Sequence, residues 1–186
     1  MTPPQIIILA GPNGAGKSTL SRLPELSGLP FLNADDIERD QGSGALMAGR
    51  TLLAQLRALA TDRNDFVIET TLAGKWLVSH LKALREQGYQ VHIVFVWIVN
   101  DDLAVARVAS RVRSGGHNIS EDVIRRRYYR GVWNLLNVYL PLSDTWKVYD
   151  NSGTPHKLVT SKEIGSGITV SLPETWRAIK DQAPNE

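Results

Sequence analysis

Residues 11–19 of this 186-residue chain read Gly-Pro-Asn-Gly-Ala-Gly-Lys-Ser-Thr, which fits the phosphate-binding loop pattern G-x-x-x-x-G-K-[ST] at every fixed position. The β-branched run from Gln5 to Ala10 precedes them and predicts a buried strand. The residues from Ser18 to Leu23 can open a helix that Pro24 limits. A glycine-rich turn that only joins a strand to a helix does not need the Lys-Ser pair. We therefore expect a strand, a nucleotide-binding loop and a helix, in that order.

The backbone and two side chains of this loop have separate expected tasks. Its glycines allow successive N–H groups to point inward and form an anion-binding nest at the positive end of a helix. Lys17 is expected to reach the β- and γ-phosphates, and the Ser18 hydroxyl is expected to be a ligand of Mg²⁺. The residues predicted to bind the nucleotide, ATP or GTP, are Gly11, Pro12, Asn13, Gly14, Ala15, Gly16, Lys17, Ser18 and Thr19.

The composition is that of a globular protein with a sizeable core, because hydrophobic residues make up 42% of the chain and charged residues 22%. The chain has no cysteine, which excludes disulfides and thiolate metal sites and is typical of a cytoplasmic protein. No apolar segment approaches the roughly 20 residues of a membrane span, and the N-terminus lacks the basic start of a signal peptide. We therefore expect a cytoplasmic protein without membrane contact.

Predicted strands alternate with predicted helices along the chain. The strands are expected at 5–10, 30–32, 65–70, 90–99 and 146–149, followed by two more at 157–160 and 168–171. The helices are expected at 18–23, 43–60, 75–87, 101–113 and 120–140, with a short one opening at Pro173. This alternation favours an α/β fold of the P-loop NTPase type, a three-layer sandwich around a mainly parallel sheet. We expect a single domain over 1–186, with a helical arginine-rich lid at about 107–130 and a C-terminal extension at 153–186.

Two helices carry more detailed expectations. The helix at 43–60 is expected to bury one face. The spacing of the apolar residues predicts that this face contains Leu46, Leu53, Leu56 and Ala60. In the helix at 101–113, Asp101 is expected to be the capping residue, because a carboxylate can accept hydrogen bonds from the free N–H groups of the first turn.

A basic cluster is the second distinctive feature of the sequence. The net charge of the chain is only +2, and the cluster contains just two acidic residues, Glu121 and Asp122, so it lies on an otherwise acidic body. Its seven arginines are Arg107, Arg111, Arg113, Arg125, Arg126, Arg127 and Arg130. Such a local excess of positive charge suggests an anionic ligand at one place rather than a surface that coats nucleic acid.

The arginines are spaced so that two helices can present them together. Arg107 and Arg111 share one helix face, and Arg126 and Arg130 share a face of the next helix. Gly115-Gly116 lies between the two helices, which can therefore form a mobile lid that brings guanidinium groups onto a transferring phosphate. The alternative is a solvated basic face with salt bridges within each helix.

Two carboxylates follow predicted strands and are candidates for chemistry. Asp35 can orient a substrate hydroxyl and accept its proton, but Asp35 or Asp36 can equally cap the next turn. Glu69 can hold a magnesium-bound water or bind the acceptor substrate, or it can be a solvated strand end. Because both positions come at carboxyl ends of strands, we expect them to lie near the glycine loop.

Taken together, these motifs resemble the zeta-toxin family of P-loop kinases, and more closely its compact members described as predicted ABC-type ATPases or kinases. The resemblance covers Ile6 to about Gly153. It rests on an ordered set of segments: residues 11–19, Asn33-Ala34-Asp35-Asp36-Ile37, Ile68-Glu69-Thr70-Thr71, Arg111-Val112-Arg113-Ser114-Gly115-Gly116-His117, Ile124 to Tyr128, and Val148-Tyr149-Asp150-Asn151-Ser152. The glycine loop alone is generic to many kinases, whereas this ordered set is specific.

The resemblance implies a kinase that uses ATP or GTP with Mg²⁺ and phosphorylates a hydroxyl of a nucleotide-activated sugar. In the best-known members that sugar is UDP-N-acetylglucosamine, and the kinase is a bacterial toxin neutralised by an antitoxin protein. A UDP-sugar and an antitoxin are therefore the expected partners of this chain.

The resemblance also implies roles for individual residues. The residues expected to act in catalysis are Lys17, Asp35, Arg111 and Arg127, with Asp35 as the base and the arginines neutralising charge. The residues expected to contact the acceptor are Asp35, Glu69, Thr71, Arg113, His117 and Arg126. Arg113 and Arg126 are also the alternatives for the charge-neutralising pair. The turn expected near the nucleotide base contains Asp150 and Asn151.

Two other functions are compatible with the same motifs. A nucleotide-switched ATPase module would bind and hydrolyse the nucleotide only to change its binding partners. A polynucleotide kinase would use the arginines to hold a nucleic-acid 5′ end, and its substrate binding should weaken steeply with salt. We do not expect nucleic acid to be the partner.

Overall fold

The computed structural model of the chain describes residues 2–21, 26–42, 44–116 and 118–183. Its strands are β1 (Gln5–Ala10), β2 (Phe31–Asn33), β3 (Phe66–Thr70), β4 (Gln90–Trp97), β5 (Thr145–Asp150), β6 (Lys157–Lys162) and β7 (Ile168–Val170). Its α-helices are α1 (Lys17–Leu20), α2 (Ala34–Gln41), α3 (Gly44–Thr61), α4 (Leu77–Glu86), α5 (Asp101–Arg113), α6 (Glu121–Asn134) and α7 (Pro173–Asp181). No helix within these ranges is long and apolar enough to cross a membrane.

The strands form one sheet in the order β2-β3-β1-β4-β5-β6-β7, so the strand that precedes the glycine loop is near its centre. Strands β1 to β5 are parallel, and β6 and β7 are antiparallel at one edge. Because parallel strands end at the same edge, the segments that follow β1, β2, β3 and β5 meet there. The predicted P-loop NTPase fold, a mainly parallel sheet between helical layers, is confirmed.

Each face of the sheet has its own hydrophobic cluster, because successive strand residues point to opposite faces. On one face, Ile8 belongs to a cluster with Leu52 of α3 and Leu81 of α4. On the other face, the cluster includes Val108 of α5 and Tyr128 of α6, both nearly fully buried. The two helices of the predicted lid, α5 and α6, therefore pack against the sheet through these buried side chains.

The sequence analysis missed helix α2, which follows β2 without a loop. The Asn33 side chain accepts a hydrogen bond from the backbone N–H of Asp35 at 2.9 Å, so Asn33 is the N-cap. Asp35 and Asp36 occupy the first turn and do not cap it. A similar correction applies to α5, where the side chain of Asn100, and not of Asp101, accepts the capping hydrogen bond. In both helices an amide caps and the carboxylates that follow interact with the positive end of the helix.

The buried face of α3 differs from the prediction. Leu46 is 73% exposed, and the buried stripe is formed by Ala48, Leu52 and Leu56. Both sets span about 80° of the helix circumference, so the observed face is the predicted one rotated by about 80°, with Leu56 common to the two.

Two predicted helices end early. α1 ends at Leu20, and its predicted end at Leu23 lies outside the described residues. The helix expected to continue to residue 140 stops as an α-helix at Asn134. It continues as a π-helical turn at Leu135–Tyr139 and a 3₁₀ turn at Leu140–Leu142. π-Turns of this kind are often found near functional sites.

The C-terminal extension continues the sheet and then returns toward α6. The Trp176 ring of α7 stacks on Trp146 of β5, with the ring centroids 6.1 Å apart. Gln182, just after α7, accepts hydrogen bonds from the indole N–H of Trp97 and from the Tyr128 hydroxyl, both at 2.9 Å. The extension therefore connects α6 to the sheet. That residues 1–186 form a single domain stays a prediction.

Candidate active site

The glycine loop between β1 and α1 has a backbone that glycine adopts readily and other residues do not. Gly11, Gly14 and Gly16 have φ values of +145°, +76° and +87°. A Cβ on Gly11 would lie 2.3 Å from the carbonyl oxygen of Val96, so the loop rests against β4 where no side chain fits. Lys17 is 8% exposed and folds back over the loop, donating from Nζ to two loop carbonyls at 2.9 and 3.2 Å.

Two features of the loop fit a bound triphosphate. The Lys17 ammonium is buried against carbonyl oxygens, whose place phosphate oxygens can take. Asn13 is 5% exposed and lines the neighbouring cavity, and its amide oxygen has no hydrogen-bond partner among the described residues. A buried polar atom without a partner is costly, and the amide turned by 180° would donate to an anionic oxygen instead.

Glu69, at the end of β3, forms an ion pair with Lys17, with 3.7 Å between Oε1 and Nζ. Burial lowers the pKa of Lys17, and the charges of Glu69 and Asp35 oppose that shift. Burial likewise raises the pKa of Glu69, and the charge of Lys17 opposes that shift. Each charge therefore offsets part of the cost of burying the other, and Glu69 is not a solvated strand end.

One cavity of about 380 Å³ gathers many of the predicted site residues around Lys17. The predicted residues that line it are Asn13, Gly14, Lys17, Asp35, Glu69, Thr71, Arg111, Arg126 and Arg127. Eight further lining residues were not assigned to the site from the sequence: Asn33, Ala34, Leu52, Thr70, Ala73, Gly74, Trp76 and Arg130. Of these, Arg130 left a signal in the sequence, namely its helical spacing from Arg126.

Arg125 follows the alternative prediction for the basic cluster, because it forms salt bridges on a helix face. Its Nη1 lies 2.7 Å from carboxylate oxygens of both Asp101 and Asp102, and its Nη2 lies 2.6 Å from Glu121. The arginine therefore joins the start of α6 to the start of α5. We assign Arg125 a structural role.

Arg111 projects from the end of α5 and lines the cavity. Gly115 is in the left-handed conformation, and the Gly116 N–H donates to the Arg111 carbonyl at 3.0 Å, which ends the helix. Arg113, one of the alternatives for the charge-neutralising pair, is not among the described residues that line the cavity. His117, predicted to contact the acceptor, lies outside the described residues.

Arg107 joins the glycine loop to the turn that follows β5. Its guanidinium donates to the carbonyl oxygens of Asn151 at 2.9 Å, Ser152 at 3.1 Å and Gly14 at 3.5 Å. The Asn151 side chain in turn donates to the carbonyl oxygen of Ala15 at 2.8 Å. The turn predicted to lie near the nucleotide base is therefore fixed directly against the phosphate-binding loop.

A second cavity adjoins the first on the side of Ser18. Asp35, Glu69 and Arg111 line both cavities, and Asp36 lines the second. Hydroxyl and carboxylate oxygens are the ligands that Mg²⁺ prefers, usually together with phosphate oxygens. Within the described ranges, no three histidine or acidic side chains form a metal site by themselves. The residues present fit a magnesium ion shared between Ser18 and a nucleotide.

The loop at 71–76, which forms one wall of the cavity, is held by α6 and the π-helical turn. The Asn134 amide and the Tyr139 hydroxyl each donate to a carbonyl oxygen of this loop at 2.7 Å. A Cβ on Gly131 would lie 2.5 Å from the carbonyl oxygen of Thr71, so only glycine permits this approach. The wall loop and the arginine-bearing helix are therefore positioned together.

The glycine loop, the two carboxylates and the cavity arginines all fall within one segment, residues 6–130. This segment matches the model of a protein family described as AAA domain. The chain belongs to the AAA domain family. The matched region ends at Arg130, so β5, the turn at Asn151 and the C-terminal extension of this AAA domain protein lie beyond it.

A relative of this AAA domain protein occurs in Haemophilus influenzae and is described only as an uncharacterized protein. The two sequences are 30% identical over 127 residues, which are 66% of this chain and 91% of the relative. This similarity supports the family membership and carries no function with it.

Solved structures with the same fold include several complexes. The AvrRxo1-ORF1:AvrRxo1-ORF2 complex with sulphate ions has a TM-score of 0.76 at 14% identity over 98% of this chain, which spans 65% of that chain's length. The PezAT toxin-antitoxin system of Streptococcus pneumoniae has a TM-score of 0.66 at 17% identity, with 100% and 80% of the two chains covered. The Pnkp1/Rnl/Hen1 RNA repair complex has a TM-score of 0.60 at 18% identity, with 73% and 46% covered. At these identities the similarity establishes a shared fold and nothing further.

Proposed function

We propose that this AAA domain protein is a kinase that transfers the γ-phosphoryl group of ATP or GTP to a hydroxyl group of a small acceptor. The observation that carries the proposal is the cavity in which the glycine loop, Asp35 and the arginines of two helices meet. Phosphoryl transfer needs positive charge around the migrating group and a residue that orients the nucleophile. The residues around this cavity can supply both.

Each residue has a defined task in the proposed reaction. Lys17 exchanges its two loop carbonyls for phosphate oxygens, while Arg111 and Arg127 reach the γ-phosphoryl group and neutralise its charge. Asp35 orients the acceptor hydroxyl and accepts its proton as the oxygen attacks phosphorus. When bound, Mg²⁺ would withdraw charge from the β- and γ-phosphate oxygens, and Ser18 is the residue that would hold it.

The acceptor that follows from the zeta-toxin resemblance is a UDP-sugar such as UDP-N-acetylglucosamine. The described residues that line the cavity include five cationic side chains and two carboxylates, which suits a negatively charged acceptor. An antitoxin partner belongs to the same proposal, since the PezAT structure, which shares this fold, is of a toxin-antitoxin system.

The test is mass spectrometry of UDP-N-acetylglucosamine after incubation with Mg-ATP and the protein. We expect a product that is one phosphate group heavier, formed by the wild type and by Asp40→Ala but not by Asp35→Ala. Asp40 is the matched control because it lies on the same helix and its side chain is 68% exposed beside Arg39.

Two other results would each correct the proposal. If ATP is consumed without the heavier product, the UDP-sugar is not the acceptor. If Mg-ATP binds and is not consumed with any acceptor, the protein is a nucleotide-switched module and not a kinase.

A further inference from the structure

A groove of about 610 Å³ lies over the C-terminal part of the sheet, between the π-helical turn, the β6–β7 hairpin and α7. We call it the C-terminal groove, and its lining includes Leu140, Trp146, Lys162, Ile168, Trp176 and Lys180. None of the described residues that line this groove also lines either cavity of the active site. The groove is therefore separate from the places where the nucleotide and the acceptor are proposed to bind.

The floor of the groove is an apolar surface that continues the hydrophobic core. Trp146 and Ile168 lie on either side of Lys162 in the strand register, so the three side chains share one face of the sheet. Trp146 is only 3% exposed, and the Trp176 ring that stacks on it packs against the same core cluster. Ile168 is 61% exposed. The groove thus offers aromatic and aliphatic surface to a group that enters from solvent.

The charged side chains of the groove are all of one sign. Lys162 and Lys180 line it, and no acidic residue is among the described residues that do so. Neither lysine forms an ion pair with a carboxylate in the described part of the chain. The adjacent Glu163 is paired instead with Lys147, at 3.5 Å between Oε1 and Nζ. An anionic group that enters the groove therefore meets two ammonium groups and no opposing carboxylate among these residues.

The size of the groove fits a small molecule better than a protein surface. Small-molecule sites are typically clefts of about 300 to 1,000 Å³ with mostly apolar walls and a few polar groups. A stable protein interface instead covers about 800 Å² of each partner. Ile168 is the only highly exposed large hydrophobic side chain among the described residues that line the groove, so little apolar surface projects toward a partner.

We propose that the C-terminal groove is a binding site for a small organic anion, one that joins a flat apolar body to a carboxylate, sulfonate or phosphate group. The apolar body lies against Trp176 and Ile168, and the anionic group is bound by Lys162 and Lys180. This inference goes beyond the proposed function and does not depend on it, because the groove is built from residues that take no part in the proposed reaction.

The experiment uses anilinonaphthalene sulfonate, a dye with two aromatic ring systems and one sulfonate, titrated by calorimetry into the folded full chain. We expect the dye to bind at one site per chain and to stay bound when Mg-ATP is added. Lys162→Gln/Lys180→Gln should weaken dye binding about tenfold, because the sulfonate loses both cations. Ile168→Glu should weaken it by a similar factor, because it places a carboxylate in the groove. Phenylnaphthylamine, which has the same rings without the sulfonate, should bind the wild type and the double lysine variant equally.

Lys82→Gln/Lys157→Gln is the matched control, because it removes two exposed lysines that do not line the groove and changes the net charge by the same amount. This variant should bind the dye as the wild type does, and the melting temperature of each variant confirms that it is folded. Absence of dye binding to the wild type would overturn the inference, as would equal binding by Lys162→Gln/Lys180→Gln or displacement of the dye by Mg-ATP.

Light scattering tests the alternative that a second copy of the chain covers the groove. We expect Ile168→Glu to leave the molar mass in solution unchanged. A wild-type dimer that becomes a monomer in Ile168→Glu would show that the groove is a contact between two copies, and the inference would be wrong.

Discussion

Replacing Asp35 by alanine is expected to lower turnover by at least about 10²-fold and to leave nucleotide affinity nearly unchanged. Asp35 lines the cavity beside the loop, in the first turn of α2, where Asn33 does the capping. Because Asn33 and not Asp35 caps the helix, loss of the Asp35 carboxylate should cost the helix little and should remove the proton acceptor without unfolding the site. The measurement is the turnover number together with the dissociation constant for Mg-ATP.

The matched control for this prediction is Asp40→Ala, which removes a carboxylate from the exposed end of the same helix. It should keep turnover within about twofold of the wild type, because surface changes of this kind have small effects. Full turnover in Asp35→Ala would remove Asp35 from its proposed role. A parallel loss of nucleotide affinity would show instead that Asp35 acts on the nucleotide and not on the acceptor.

Lys17→Met is expected to reduce both turnover and nucleotide affinity. The buried ammonium already donates to two loop carbonyls, so it is placed to donate to phosphate oxygens in the same position. Loss of a donor of this kind costs about 10²- to 10³-fold in turnover, and loss of a charged hydrogen bond about tenfold or more in affinity. Wild-type affinity for Mg-ATP in Lys17→Met would contradict the assignment of the glycine loop as the nucleotide site.

The same substitution should change how stability depends on pH. Burial raises the pKa of Glu69, so the folded protein keeps that proton at a higher pH than the unfolded chain does, and stability falls as pH rises between the two pKa values. Lys17 opposes this shift, so Lys17→Met should enlarge the fall and extend it to higher pH. Melting temperatures measured between about pH 4 and pH 8 test this. The double variant Lys17→Met/Glu69→Gln has no carboxyl group at position 69, so it should lack the additional fall in stability that Lys17→Met shows relative to the wild type.

The sequence predicted the parts of the site that depend on local motifs. The loop at 11–19 and the strand before it follow from residue types that leave few alternatives, and Glu69 lies at the end of β3, where the sequence placed it. The meeting of these parts also follows, because parallel strands end at one edge of the sheet. Helix α2 was missed because its signal, Asn33 as the cap before two acidic residues, is short and resembles a turn.

The sequence could not predict which arginines line the cavity and which form structural contacts. Arg125 and Arg127 are two positions apart, and a helix turns by about 200° over that distance, so they point in very different directions. Arg125 meets Asp101 and Asp102 from another helix, whereas Arg127 meets the cavity. Arg107, one of the arginines of the predicted lid, binds backbone carbonyls. Such contacts depend on how α5 and α6 pack, which no local pattern encodes.

The most direct test of the central claim is to follow the γ-phosphoryl group itself. ATP labelled in that group is incubated with magnesium, the wild-type protein and an extract of small metabolites, and the labelled products are separated. We predict that the label moves to an organic phosphate ester with the wild type and not with Asp35→Ala. Label that remains on ATP, or appears only in orthophosphate, would contradict the claim that this AAA domain protein is a kinase.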